Sequence, residues 1–89
     1  MEKLYSDGKA KSIGVCNFEV SQLEYLLSHC TVKPMINQIE HTPLLHNENL
    51  LSLCRDNSIG VMAWAPLLRG NFNNKTILDI ADKYSKSPA

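Results

Sequence analysis

The chain has 89 residues, 44% hydrophobic and 20% charged, with nine basic residues against nine acidic ones. Such a composition is globular, excludes disorder and low complexity, and at this length allows one small domain at most. A formal net charge of zero speaks against nucleic acid or an anionic membrane surface as the main partner, because both select basic proteins.

Met1, Leu4 and Tyr5 have the spacing of a buried helix stripe, and Gly8 is placed to end that helix. Because this pattern starts at the first residue with no N-cap before it, the chain is expected to open part-way along a helix. "SIGVCN" reads as a strand with Ile13 and Val15 on one face. A helix follows in which Val20, Leu23, Leu26, Leu27 and Cys30 form an apolar stripe. Ser21 and Glu24 have capping-box spacing and place its start near Glu19 to Ser21. Pro34 introduces the strand "MINQIE", and Asn47 is the expected N-cap of a helix whose apolar side is Leu50, Leu51 and Cys54.

"IGVMAWAP" is a third strand, stopped by Pro66. Beyond a loop with Gly70 and three asparagines, Ile77, Ile80, Ala81 and Tyr84 give a last helical stripe. Strands therefore begin near residues 12, 35 and 60, each followed by a helix. Three such units imply a parallel sheet with crossover helices. Two α/β architectures fit: a small open doubly wound sheet, or part of a (β/α)8 barrel. A whole barrel takes roughly 250 residues, so this is about three eighths of one. No Gly-rich phosphate loop follows the first strand, which counts against a flavodoxin-like domain.

The N-terminal "MEKLYSDGK" reads as too polar for a signal peptide, and no apolar run approaches membrane-spanning length. Cys16, Cys30 and Cys54 are an odd number without CxxC spacing, which fits a reduced, cytoplasmic setting. Cys30 and Cys54 fall on apolar helix stripes. His29, His41 and His46 form no HxxxH or HExxH pattern, so no metal site is expected. Glu40 and His41 are neighbours along a strand and face opposite sides, a poor acid–base pair.

Parallel strands put their carboxyl ends on one side, where α/β proteins place their chemistry. This gathers Cys16 and Asn17, Gln38 and Glu40, and Trp64, with the "PLLRG" loop continuing on that side. Asparagine and glutamine offer paired donors and an acceptor to a planar amide. The indole offers a stacking face, and Arg69 suits a phosphate. Each residue also has a plainer reading: Asn17 as a turn residue, Gln38 as a satisfied strand amide, Trp64 as core, Arg69 as a solvated charge. Cys16 lies ahead of a helix N-terminus, where thiol pKa falls, but no base accompanies it, and it reads as a small packed thiol.

Three segments carry a family resemblance. "GKAKSIGVCNF" resembles the aldo-keto reductase strand that closes in Ser-Asn-Phe. "KPMINQIEHTPLL" resembles that family's "NQIE" strand, and "VMAWAPLLRG" resembles its aromatic-Ser-Pro-Leu-Gly segment. With "IADKYSKSPA", the similarity runs in order along essentially the whole chain. It implies a partial (β/α)8 TIM barrel of about three parallel βα units, strands five to seven of an NADPH-dependent reductase of aldehydes and ketones. Residues 1–89 are then expected to be a fragment of that barrel domain.

The resemblance assigns the nicotinamide carboxamide to Cys16, Asn17 and Gln38, and ring stacking to Trp64. It carries the pyrophosphate past Ala65, Leu67 and Arg69. Cys16 stands where the family has Ser, Ala65 where many members have Ser, and Thr42 where a His often follows "NQIE". The family's catalytic Asp, Tyr, Lys and His come from its first four strands, so no catalytic residue is expected here. The chain is expected to bind a nicotinamide dinucleotide weakly and to reduce no carbonyl by itself, the carbonyl substrate belonging to a full-length parent. The alternative is a non-enzymatic protein-binding module or a non-functional truncated product. Open sheet edges favour self-association.

Overall fold

Three strands lie side by side in chain order in the computed structural model, which describes Met1–Ala89. β1 (Gly14–Cys16), β2 (Ile36–Glu40) and β3 (Gly60–Trp64) are all parallel, with β2 in the centre. α1 (Glu2–Ser6) precedes the sheet, α2 (Val20–His29) and α3 (Glu48–Asp56) connect its strands, and α4 (Lys75–Lys83) follows a short 3-10 turn at Leu68–Gly70. The three predicted strand–helix units are therefore present. β1 is shorter than the apolar run that predicted it.

Register decides which side chains share a face. Gly14, Ile36 and Gly60 form one row across the sheet, Cys16, Gln38 and Met62 the next, and Glu40 and Trp64 the last. The intervening residues Val15, Asn37 and Ile39 face the helices. There Leu23, Ile39, Leu50, Cys54 and Ile59 make one buried cluster, with Val15 and Phe18 packed against it. Met62, on the other face, is half exposed.

Only ten of the 89 residues are buried, and the radius of gyration is 16.8 Å. A compact domain of this length has about 12 Å. The chain is a slab of 50 × 27 × 18 Å, with one face of its sheet and both its edges open.

Helix ends are set by side chains. Asn47 Oδ1 accepts from the Leu50 N–H at 3.1 Å, as its position predicted. Asn74 does the same for α4, accepting from Thr76 and Ile77. The capping box of α2 is not the predicted Ser21–Glu24 pair but Glu19 and Gln22. The Glu19 carboxylate accepts from the third helical N–H as a serine hydroxyl would, and the Gln22 side-chain carbonyl takes the Glu19 N–H at 3.0 Å. The α4 stripe is real in spacing but mostly uncovered. Ala81 is buried while Ile80 and Tyr84 stand 53% and 62% exposed.

Gly8 follows the end of α1, and its φ of 70° lets the N–H groups of Lys9 and Ala10 reach back to the Leu4 carbonyl. Its Glu2 carboxylate accepts from the N–H groups of Val32 and Thr31, at 2.6 and 2.7 Å. Those two bonds hold the carboxyl below its ordinary pKa and tie α1 to the segment that leads into β2.

Candidate functional site

The site is built at the turn where β1 hands over to α2. Asn17 takes a left-handed conformation there, φ 56°, which asparagine tolerates better than most residues. Its N–H donates to the Gln38 carbonyl at 2.8 Å, continuing the β1–β2 ladder one residue past the strand. Phe18 then swings into the core. The fully buried Asn37 meets it there, donating through Nδ2 to the Phe18 carbonyl at 2.9 Å and accepting the Phe18 N–H at a longer 3.4 Å. One side-chain amide thus holds both backbone groups of the turn.

Cys54 is buried in the same cluster behind the turn. Burial raises its thiol's pKa, and the neighbouring Asn37 amide partly offsets the rise. Sequence reasoning passed over Asn37. The available signal was parity: two residues before Ile39, it must share that residue's buried face.

The side chain of Asn17 reaches across the sheet. Its Oδ1 accepts from Trp64 Nε1 at 2.9 Å, joining the end of β1 to the end of β3. The guanidinium of Arg69 stands 5.7 Å from the Trp64 ring, a cation–π contact from the loop side. Trp64 is neither core nor free: it is half-buried, with one edge and one neighbour engaged. Asn17, Trp64, Glu40, Glu19 and His46 border a hollow of about 380 Å³ at the strand ends.

Cys16 and Gln38 sit side by side in the row below, and neither side chain makes a hydrogen bond within the chain. Cys16 is exposed, which corrects the expectation of a packed thiol. It lies on the sheet face that no helix covers.

Ala65 and Arg69 border a second, smaller hollow of about 170 Å³, with Glu40, Thr42 and Leu68. Leu67 borders neither and is 55% exposed. Ala65, Leu68 and Arg69 have φ of 51°, 53° and 54°, conformations that cost non-glycine residues energy. Three turn bonds hold them: Leu68 N–H to Ala65, Gly70 N–H to Leu67 and Asn71 N–H to Leu68. The N–H groups of Leu67 and Arg69 have no partner in the chain. Of six non-glycine residues with positive φ, four are in this site. A third hollow of about 450 Å³, between α1, α2 and β1, is mainly apolar, and its Glu2 and His29 already bond backbone groups.

The set offers amide groups for a planar amide, an indole face, and free N–H groups beside a guanidinium for an anion. It offers no nucleophile with a base beside it.

Comparison with known proteins gives this arrangement a context. The family model described as "Aldo/keto reductase family" matches residues 1–88. The chain is 44% identical over its whole length to glyoxal reductase of Bacillus subtilis, and 42% identical to methylglyoxal reductase DkgA of Escherichia coli. It spans 33% and 34% of those two proteins, about a third of the length of the curated relatives it matches. Among solved structures, a Gox0644 variant in complex with NADPH superposes with a TM-score of 0.87 at 35% identity, over 98% of this chain and 32% of that one.

Proposed function

Because the chain belongs to the aldo/keto reductase family, we propose that its residues form the nicotinamide-facing part of an NADPH site in a reductase of aldehydes and ketones. Its three parallel βα units are a part of that family's barrel. The observation that carries the proposal is the meeting of Asn17, Gln38, Cys16 and Trp64 at the strand ends, with free hydrogen-bonding capacity on the first three.

Asn17 and Gln38 would hold the carboxamide, with Cys16 beside them as a weaker donor than the serine of the resembling segment. Trp64 would flank the ring. Ala65, Leu67 and Arg69 would carry the loop past the phosphates, where free N–H groups and a guanidinium fit negative charge. NADPH, when bound, supplies the hydride. Orientation of the reacting group is what these residues contribute. The proton donor lies among residues outside these 89, so the chain by itself binds and orients but reduces nothing. Glyoxal reductase and methylglyoxal reductase among its relatives point to small carbonyl compounds as the substrates of the complete enzyme.

Gln38→Ala tests this. Losing one neutral hydrogen bond is expected to raise the NADPH dissociation constant of the chain by about tenfold at most, each such bond being worth roughly 0.5–1.5 kcal/mol. The fluorescence of the bound dihydronicotinamide reads it. An unchanged constant removes Gln38 from the site. A second reading, a module that pairs with another chain, draws on the open edges of the sheet and on exposed Met62 and Val61. Concentration-dependent self-association without any nucleotide effect would favour it.

A further inference from the structure

We propose that Trp64 is a positioning residue that sets the polarity of the Asn17 amide, leaving Asn17 as a donor toward ligand. The bond rests on geometry within the chain; only the identity of its ligand rests on the cofactor reading above. An indole nitrogen can donate and cannot accept. With Trp64 Nε1 at 2.9 Å, the amide atom facing it must be Oδ1. A flipped amide would set two donors against each other. The main chain of Asn17 is already held by its N–H bond to the Gln38 carbonyl, so the amide cannot escape by moving the backbone. Nδ2 is left with both hydrogens unused by the chain, offered to an acceptor oxygen on a ligand.

Only a long side chain with a donor on its edge serves here. β1 and β3 are separated by β2, about 10 Å from strand to strand across two ladder spacings. Phenylalanine has the stacking face but no N–H. Arg69, 5.7 Å from the ring, supports the indole plane from the loop. Gln38 has no partner in the chain and can turn its amide either way. Asn17 sets the orientation and Gln38 accommodates it.

Trp64 is the only tryptophan, so a nitrogen-15 spectrum contains a single indole N–H signal. Asn17→Ala is expected to move that signal and to speed its hydrogen exchange about tenfold. Asn17→Asp keeps an acceptor and should leave the signal hydrogen-bonded, while losing the donors and weakening NADPH binding about tenfold. Trp64→Phe is expected to move the two Asn17 side-chain amide signals toward those of a mobile, exposed asparagine and to raise the NADPH dissociation constant five- to tenfold. Combining Trp64→Phe with Asn17→Ala should cost no more than either alone, which a role in stacking only would not produce. An indole signal indifferent to Asn17→Ala overturns the proposal, as do additive losses in the double variant. Failure of the unaltered chain to bind NADPH would overturn the cofactor reading alone, since the indole and Asn17 signals still decide this one.

Discussion

Asn37→Ala is expected to lower the stability of the chain by about 3 kcal/mol, a large effect for removing one small polar side chain. The residue is fully buried, and its amide engages both backbone groups of Phe18. Truncation leaves a buried carbonyl and N–H without partners, at about 1–3 kcal/mol for each group. The longer 3.4 Å bond sits at the low end of that range. Asn37→Asp should be worse. It keeps the acceptor for the Phe18 N–H but turns a second oxygen on the Phe18 carbonyl, at a fully buried position. Urea denaturation reads both variants through the midpoint. A midpoint within the error of the unaltered chain would mean that the turn after β1 is held by something other than Asn37.

The second large effect lies at the opposite end of the strands. Gly14 and Gly60 flank Ile36 in one row, and they are not equivalent. A Cβ on Gly14 would stand 2.8 Å from the Ile36 carbonyl oxygen and 3.2 Å from its Cβ. Both are fixed by the β1–β2 ladder and cannot yield without opening it. A Cβ on Gly60 would meet Ile36 Cδ1 at 2.7 Å, the free end of a side chain that can rotate away. Gly14→Ala is therefore expected to cost about 2–3 kcal/mol, in the range of overpacking that moves backbone. Gly60→Ala should cost about 1 kcal/mol or less by the same reasoning. Equal losses in chemical denaturation would mean that Ile36, and not the strand spacing, absorbs the new atom in both cases.

Both variants touch features with different visibility in the sequence. Strand and helix positions were legible because apolar runs bounded by Pro34, Pro66 and the caps leave little choice. Asn47 was readable as a cap for the same reason. Asn74 was hidden among neighbouring asparagines, and the cap of α2 was misplaced because a glutamate can do the work expected of Ser21. The strand-end set was legible as a group, since parallel strands must gather Cys16, Asn17, Gln38 and Trp64 on one rim. The links within it were not. Nothing in spacing says that Trp64 bonds Asn17 across an intervening strand, because that contact depends on the left-handed turn at residue 17. The loop was least legible. Ala65, Leu68 and Arg69 resist positive φ, and only the closing hydrogen bonds of the turn hold them there.

A nucleotide site at such a rim has a physical logic. Rigid strands fix Gln38 and Trp64, and the two buried bonds of Asn37 fix the turn that carries Asn17. The groups proposed to meet ligand are thus supported by groups that meet only protein. The open sheet face leaves Cys16 exposed and Met62 half exposed.

Titration of the chain with NADPH, followed by the emission of Trp64, tests the central claim most directly, because the tryptophan is single and sits within the site. A folded chain with the site intact should emit to the blue of free tryptophan and be quenched saturably as NADPH is added. Blue-shifted emission that stays flat throughout the titration would contradict a nicotinamide site at these strand ends.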